Sequence, residues 1–179
     1  GITSFKALAH VRYLCSKIQG GRVKIGHAGT LDPLATGVLI LATGRMTKQI
    51  ETLQTYAKEY VATMQLGATT PSYDMEHEEN ETFPTEHITR ELIETALQQF
   101  IGNIEQIPPT YSAVKVNGQR AFDYRRNGED VVLKPKKIRI DEIEITRFDA
   151  EKMQLTLRVV CGKGTYIRAL ARDLGRAIN

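Results

Sequence analysis

The sequence contains few of the residues that build disulfide frameworks and metal centres. It has only two cysteines and four histidines among 179 residues. Cys15 and Cys161 lie far apart in segments of apolar periodicity, which predicts two reduced core thiols and gives little support to a disulfide. The histidines show no metal-ligand spacing with each other or with the cysteines. We therefore expect no catalytic metal.

Long apolar runs are also missing. No stretch has the length that crosses a membrane, and the first residues show no signal-peptide pattern. We therefore expect a soluble, cytoplasmic protein without a membrane partner. Hydrophobic residues make up 41% of the chain and charged residues 25%, which supports one sizeable core and argues against wholesale disorder.

The length of the chain fits one domain, and no internal repeat is visible. The chain begins at a glycine and stops just after a helical pattern, so neither end resembles a natural domain boundary. We expect a single, incomplete domain over residues 1–179.

Charge is distributed unevenly along the chain. The net charge of +3 is only a weak indication of an anionic partner. Residues 74–86 hold six acids and no basic residue, whereas residues 110–139 hold eight basic residues and three acids. Such segregation produces a field that can steer a polyanion towards one face of a protein.

Apolar positions at helical spacing predict helices over residues 3–21, 48–53 and 88–102, and a last helix that ends near residue 178. Thr3 or Ser4 is expected to cap the first helix, and Thr165 the last. The inward stripe of the first helix is expected to consist of Phe5, Leu8, Val11, Leu14, Cys15 and Ile18.

Alternating or short apolar runs predict strands over residues 37–43, 58–67, 137–149 and 153–162, the first of them buried. The alternation skips one position between Ile140 and Ile143, which predicts a bulge. Asn117-Gly118 predicts a hairpin turn, and residues 23–33 are expected to form a loop. Helices and strands mix without βαβ regularity, so the predicted class is α+β, with a mixed, mostly antiparallel sheet flanked by helices.

One carboxylate stands alone in the stretch GHAGTLDPLATGVLILATG, residues 26–44. Asp32 precedes Pro33, which favours extended backbone, and nearby glycines leave room for a ligand. Asp32 either opens a turn or caps a helix, or it acts as a nucleophile or base in front of a strand. A carboxylate nucleophile must be ionised and poorly solvated, so a cationic partner is expected.

Arg168 is a candidate for that partner. It is expected in the first turn of the last helix, where the helix dipole disfavours a cation. This placement is easier to understand if the guanidinium reaches a carboxylate or a phosphate. The alternative is a solvated surface arginine.

Aromatic and basic residues interleave between residues 110 and 126. Arginine and lysine bind phosphates, and aromatic rings stack on unpaired bases, so this mixture favours RNA binding. An amphipathic hairpin and helix with a solvated basic face is the alternative. The residues concerned are Tyr111, Lys115, Arg120, Phe122, Tyr124, Arg125 and Arg126.

Together these stretches resemble the TruB family of pseudouridine synthases over nearly the whole chain. GHAGTLDPLATGVL is similar to the family's catalytic motif, and KEYVATMQLG to its K-x-Y strand. IPPTYSAVKVNGQRAFDYRRNG resembles its segment that grips the tRNA T-arm, and CGKGTYIRALARDLG its last motif. Two positions depart from the family pattern: Gly162 stands where serine is usual, and TTPSYD replaces the commoner T-D-T-x-D.

The resemblance implies the pseudouridine synthase catalytic fold and isomerisation of uridine 55 in tRNA, without a cofactor. Asp32 would be the nucleophile and Arg168 its partner. Tyr60, also expected at the catalytic centre, and Tyr166 would line the uracil pocket. His27 would help to open the T-loop and flip the base.

The resemblance further implies an RNA-gripping insertion at about residues 107–138. Its expected RNA-binding residues are Lys115, Arg120, Tyr124, Arg125 and Arg126. The family's C-terminal RNA-binding domain is missing from the sequence, so we expect weakened substrate binding. We expect a monomer whose partner is the T-arm stem-loop of tRNA.

Two other functions stay open at this point. The chain could be a non-catalytic module that binds or folds tRNA. It could also be a guide-RNA-dependent synthase of the dyskerin branch, although DPLATGVL resembles the stand-alone enzymes instead.

Overall fold

The computed structural model describes residues 1–129 and 131–179, and it forms two compact units, Gly1–Tyr56 and Ala57–Asn179. Asp130 and the side chains of Arg125 and Arg126 lie outside this description. Within the described ranges, no helix combines the length and apolar character that a membrane crossing requires. The single-domain organisation stays a prediction.

The first unit opens with the predicted helix, α1 (Ser4–Gln19). Thr3 caps it, because its hydroxyl accepts a hydrogen bond from the Lys6 backbone N–H at 3.2 Å. Gly20 ends it in the left-handed conformation at φ 71°, which costs glycine little. Both helix boundaries confirm the expectation from the sequence.

The predicted inward stripe of α1 is only partly correct. Leu8 is buried, but Phe5 is 66% exposed and Ile18 is 88% exposed. The remaining elements of this unit are short, so they cover little of the helix. Spacing along a helix identifies its apolar side, but not how much of that side another element covers.

A short hairpin follows α1. Strands β1 (Ile25–His27) and β2 (Leu41–Thr43) pair antiparallel, and a 3₁₀ segment over 44–49 leads into α2 (Ile50–Thr55). The prediction of a loop over 23–33 was therefore wrong at β1. The buried strand over 37–43 was also mostly wrong, because only its last three residues pair and Val38 is 88% exposed.

The second unit is built around one four-stranded sheet. Its elements in chain order are β3 (Lys58–Gln65), β4 (Ala68–Thr69), β5 (Glu81–Thr82), α3 (Arg90–Leu97), β6 (Gly102–Gln106), β7 (Lys115–Val116), β8 (Gln119–Arg120), α4 (Ala121–Arg126), β9 (Lys136–Asp149), β10 (Gln154–Cys161) and α5 (Ile167–Ile178). The sheet order is β3-β10-β9-β6, and every neighbouring pair is antiparallel. The α+β class with an antiparallel sheet is thus confirmed.

The predicted bulge is present between β9 and β10. Cys161 pairs with Ile140 and Val160 pairs with Glu142, which leaves Asp141 as the extra residue. This one-residue insertion lets the apolar positions on both sides of the skip face the same core. Strand β6 was not expected from the sequence.

The core of the second unit lies between the sheet and helices α3 and α5. Leu155, Leu157 and Val159 of β10 are fully buried, as are Leu170 and Leu174 of α5. Cys161 belongs to the same cluster and is a free cysteine, and burial raises the pKa of its thiol. Cys161 is therefore the core thiol that the sequence predicted, whereas Cys15 on α1 is only half-buried.

Candidate active site

The loop that carries Asp32 is fixed to the start of α1. The Ser4 hydroxyl, in a residue only 6% exposed, donates to the Leu31 carbonyl at 3.1 Å and accepts from the Leu31 N–H at 2.9 Å. The Asp32 carbonyl accepts from the Ala35 N–H at 3.0 Å, which closes a turn over Pro33. Asp32 itself is half-buried. Both of its chain neighbours are therefore held, so the backbone at Asp32 has little freedom.

His27 ends strand β1, five residues before Asp32. Its Nδ1 atom is hydrogen-bonded to the Gly29 carbonyl. A carbonyl can only accept, so Nδ1 carries a proton and donates it to this bond. The bond fixes the ring orientation relative to the loop that leads to Asp32.

The two tyrosines predicted at the site belong to the second unit. Tyr60 lies on β3 opposite Val159, is half-buried and packs against the core cluster. Tyr166 is the residue immediately before α5 and is also half-buried. Each therefore projects from a regular element rather than from a long loop.

Gln106 holds the start of α5 from the end of β6. Its Oε1 accepts from the Tyr166 N–H at 2.9 Å, and its Nε2 donates to the Tyr166 carbonyl at 3.1 Å. Gln106 is only 2% exposed. The expected cap at Thr165 was wrong: Tyr166 occupies the cap position without a side-chain cap, and the glutamine, 60 residues earlier, binds its backbone.

Arg168 points into the second unit rather than into solvent. Its side chain is 14% exposed and donates to the Ser72 carbonyl and the Tyr111 carbonyl, both at 3.0 Å. It also forms an ion pair with Asp74 at 3.4 Å. The alternative of a solvated surface arginine is therefore wrong. Its pairing with Asp32, which belongs to the first unit, stays a prediction.

The segment from residue 70 to 77 forms a hydrogen-bonded turn around Asp74. The carboxylate accepts from the Ser72 hydroxyl at 2.6 Å and from the Glu76 N–H at 3.0 Å. The Thr70 hydroxyl accepts from the Asp74 N–H at 3.1 Å and donates to its carbonyl at 2.8 Å. The departure TTPSYD thus retains two hydroxyls and one carboxylate in the roles that shape this turn.

Arg172 is a second arginine of α5 that the sequence analysis missed. It donates to the Ile107 carbonyl at 2.8 Å and lies 5.4 Å from the centre of the Tyr73 ring. It also pairs with Asp173 at 2.7 Å. Its spacing from Arg168, one helical turn earlier, is the signal that could have identified it. The two arginines together attach residues 72–74 and 107–111 to α5.

The predicted RNA-binding residues lie on a hairpin followed by a short helix. Asn117 and Gly118 form the predicted turn with φ values of 50° and 84°. The Tyr124 hydroxyl donates to the Val116 carbonyl at 3.2 Å, so it links α4 to the hairpin. Lys115 and Arg120 are exposed, and Arg120 lies 5.7 Å from the centre of the neighbouring Phe122 ring. For Arg125 and Arg126, only their position in α4 is described.

Metal binding has little basis in this arrangement. Across residues 1–129 and 131–179, no group of three or more His, Cys, Asp or Glu side chains could hold a metal ion.

The chain is similar to known proteins over nearly its whole length. The family model described as TruB family pseudouridylate synthase (N terminal domain) matches residues 16–167. The tRNA pseudouridine synthase B of Bacteroides fragilis is 59% identical over 179 residues, which is 99% of this chain and 76% of that protein. The protein of the same name from Phocaeicola vulgatus is 60% identical, over 99% of this chain and 75% of its own length.

Solved structures support the same fold. A chain of a Cbf5–Nop10–Gar1 complex is 28% identical, with a TM-score of 0.66 over all of this chain and 42% of that chain. A chain of an archaeal box H/ACA Nop10–Cbf5 complex is 25% identical, with a TM-score of 0.60 over 99% of this chain. This chain therefore spans about three quarters of the curated relatives and about two fifths of the solved chains.

Proposed function

The chain belongs to the TruB family of pseudouridylate synthases, and on this premise we propose that the protein carrying it converts uridine 55 of tRNA to pseudouridine. The observation that carries the proposal is the family match over residues 16–167, which includes the complete Asp32 motif. The relatives named tRNA pseudouridine synthase B, at 59% and 60% identity, support tRNA as the substrate. The two units described above would together provide the catalytic domain.

The proposed reaction is an isomerisation in which no group enters or leaves the product. The N1–C1′ bond of the uridine breaks, the uracil turns, and C5 bonds to C1′. C5 loses its proton and N1 gains one. Since the atoms balance within the nucleotide, the reaction requires neither a redox cofactor nor a co-substrate.

Asp32 is proposed as the nucleophile that starts this sequence. Its carboxylate adds to C1′ of the ribose or to C6 of the base, or it assists elimination at C2′. Each route requires a carboxylate held at one place relative to the uridine. The clamp between Ser4 and Leu31, the residue before Asp32, supports this role because it restricts the backbone there.

The uridine must leave the base stack before its C1′ can be reached. We assign opening of the T-loop to His27, whose ring is oriented by Gly29. Tyr60 and Tyr166 are proposed to hold the everted uracil, since each projects from a fixed backbone. Arg168 is proposed as the partner that keeps Asp32 ionised.

Binding of the T-arm is assigned to the segment of about residues 107–138. The exposed cations Lys115 and Arg120 support this assignment. Arg172, which donates to the Ile107 carbonyl, fixes the start of the segment to α5. A cytoplasmic, monomeric enzyme is part of the same proposal.

The test is to incubate the protein carrying this chain with unmodified tRNA and to map pseudouridine at single-nucleotide resolution. We expect product at uridine 55 without any guide RNA. Asp32→Asn is expected to remove the product while the far-UV circular dichroism and the affinity for tRNA stay close to wild type. The control is Glu151→Gln, which removes one exposed carboxylate between β9 and β10, outside both the candidate site and the segment of residues 107–138.

Each alternative gives a different result in this experiment. A wild-type protein that binds tRNA but never forms pseudouridine would be a non-catalytic binding or folding module. A protein that converts uridine only with an added guide RNA would be a guide-dependent synthase. Full product from Asp32→Asn would contradict the assignment of the nucleophile.

A further inference from the structure

The first compact unit contains a cavity surrounded by positive charge. The cavity has a volume of about 420 Å³ and is lined by Arg12, Arg22, Val23, Lys24 and Ile25. None of these five residues is acidic. The cavity belongs neither to the loop around Asp32 nor to the basic segment of residues 110–139.

The backbone around this cavity is held in place. The Val23 N–H donates to the Ser16 hydroxyl of α1 at 3.1 Å, and Val23 is 8% exposed. The Lys24 carbonyl accepts from the Gly44 N–H at 2.8 Å. Because neighbouring side chains of an extended segment point in opposite directions, burial of Val23 leaves Arg22 and Lys24 exposed on either side of it.

The side chains of Arg12, Arg22 and Lys24 have no counter-charge among the residues that the structure describes. Over residues 1–129 and 131–179, the structure shows no hydrogen bond or ion pair to the side chain of Arg12, Arg22 or Lys24. Like charges that share a cavity repel one another, and an anion placed between them removes this repulsion. Guanidinium groups suit phosphate especially well, because they bind two of its oxygens at once.

The net charge of the first unit also favours the binding of an anion. Residues 1–56 hold seven basic residues and two acids, a net charge of +5, whereas residues 57–179 hold 17 basic residues and 19 acids. The excess positive charge of the chain therefore lies in the first unit. A field of this sign attracts a polyanion and raises its rate of association.

Lys24 of the cavity is also close in sequence to His27, the residue assigned to opening the T-loop. Lys24 immediately precedes β1, which ends at His27. A strand rises about 3.3 Å per residue, so Lys24 is about 10 Å from His27. This distance corresponds to a few nucleotides along one nucleic-acid strand.

We propose that Arg12, Arg22 and Lys24 form a second contact with the sugar-phosphate backbone of the substrate RNA, separate from the basic segment of residues 110–139. The contact rests on the proposed function for the identity of the RNA. It binds phosphates and therefore acts without regard to base sequence. Its role is to hold the RNA strand near the His27 end of β1.

The experiment compares two pairs of substitutions that remove the same amount of charge from the first unit. Arg12→Gln with Arg22→Gln alters the cavity, and Lys6→Gln with Lys17→Gln alters α1 outside it. Binding of a fluorescent T-arm stem-loop RNA is measured by anisotropy across a range of salt concentrations. A hairpin of unrelated sequence and equal length is measured in parallel.

We expect the cavity pair to weaken binding of both RNAs on the order of tenfold at moderate salt. The slope of log affinity against log salt should become shallower by about 1.4 to 1.8, which is two lost phosphate contacts. The pair Lys6→Gln with Lys17→Gln is expected to change the slope much less. Equal effects of the two pairs would overturn the proposal, because the cavity would then contribute only to the general field.

Arg12 is half-buried, so a second cavity pair that leaves Arg12 unchanged separates an effect on RNA binding from an effect on folding. Arg22→Gln with Lys24→Gln changes only exposed side chains, and its effect on the slope is expected to match that of the first cavity pair. Pseudouridine formation is assayed separately, and the cavity pairs are expected to raise KM. A wild-type protein without product would contradict the proposed function, while the binding comparison would still decide the role of the cavity.

Discussion

Ser4 shows how a residue outside the catalytic motif controls the backbone within it. Its hydroxyl makes both a donated and an accepted hydrogen bond with Leu31, 27 residues further along the chain. Asp32 follows Leu31 directly, so any movement of Leu31 displaces the proposed nucleophile. The Ser4 hydroxyl therefore helps to hold the backbone next to Asp32. The same residue also begins α1.

Substitution of Ser4 by alanine is predicted to lower kcat for pseudouridine formation. The change leaves the Leu31 N–H and carbonyl without their partner, which costs about 1–3 kcal/mol. A loss of about 1.4 kcal/mol in the transition state is tenfold in rate, so kcat should fall roughly tenfold or more. Single-turnover kinetics at saturating tRNA measure this rate.

Thr3→Ala is the matched control for this prediction. It removes the helix cap next to Ser4, at a cost of about 1 kcal/mol in stability, but it leaves Leu31 untouched. We expect Thr3→Ala to lower the melting temperature and to keep kcat near wild type. If both variants had the same kcat, the clamp on Leu31 would have no part in catalysis.

The sequence offered candidates for the chemistry-bearing residues of this site, but not the residues that hold their backbone. Asp32 and Arg168 stand in motifs whose spacing is visible in a short window. The partners of Ser4 and Gln106 lie 27 and 60 residues away, and no local pattern encodes such pairs. For Arg168, the helix dipole argument favoured a carboxylate or a phosphate as partner; the structure shows an ion pair with Asp74, and the pairing with Asp32 stays a prediction.

Strand β6 and helix α5 meet at one side chain, that of Gln106. Its two hydrogen bonds satisfy the N–H and the carbonyl of Tyr166 at a buried helix start. In the first and second turns of α5, Arg168 and Arg172 donate to the carbonyls of Tyr111 and Ile107, which follow β6 in the chain. The side chains of Gln106, Arg168 and Arg172 thus hold helix α5 to the end of β6 and to the residues that follow it.

Replacement of Gln106 by methionine, a residue of similar shape, is predicted to destabilise the protein by about 2–4 kcal/mol. Two hydrogen bonds are lost, and the Tyr166 N–H is left without its partner, whereas the Tyr166 carbonyl keeps the bond from the Leu170 N–H. Urea unfolding followed by circular dichroism measures the change. Gln99→Met replaces an exposed glutamine, removes one bond, to the Ala96 carbonyl, and is expected to cost less than Gln106→Met, about 1 kcal/mol or below. A Gln106→Met protein as stable as Gln99→Met would show that the Tyr166 backbone is not held there.

At the level of elements, periodicity was informative where the pattern was long. The bulge at Asp141 could be predicted because isoleucines alternate on both sides of it, at 138 and 140 and at 143 and 145. A second register shift, which leaves Thr146 as the extra residue, was not expected. Strand β6 has a single strongly apolar residue, Ile104, so its pairing with β9 has no periodic signal. The run over residues 37–43 is apolar throughout, which does not distinguish a strand from a segment of irregular structure.

For the whole molecule, the distribution of charge is the basis of both proposed RNA contacts. The first unit carries +5, and the second unit is close to neutral but contains the basic segment of residues 110–139 beside the acidic loop of residues 74–86. The cavity of the first unit and the basic segment would each contact phosphates. The salt dependence of binding counts such contacts. Each phosphate contact that is lost makes the slope of log affinity against log salt shallower by a similar amount.

Removal of charge from the basic segment is predicted to weaken tRNA binding with little effect on folding. The variant combines Lys115→Gln, Arg125→Gln and Arg126→Gln, and its slope of log affinity against log salt should become shallower by about 2 to 3. A control removes three cations of the same unit outside the segment: Arg147→Gln, Lys152→Gln and Arg176→Gln. Because this control preserves the local charge of the segment, its slope should stay much closer to wild type. A slope unchanged in the segment variant would mean that the T-arm is bound elsewhere. When the segment variant is combined with the cavity pair, additive losses of binding free energy would show two separate contacts on one RNA.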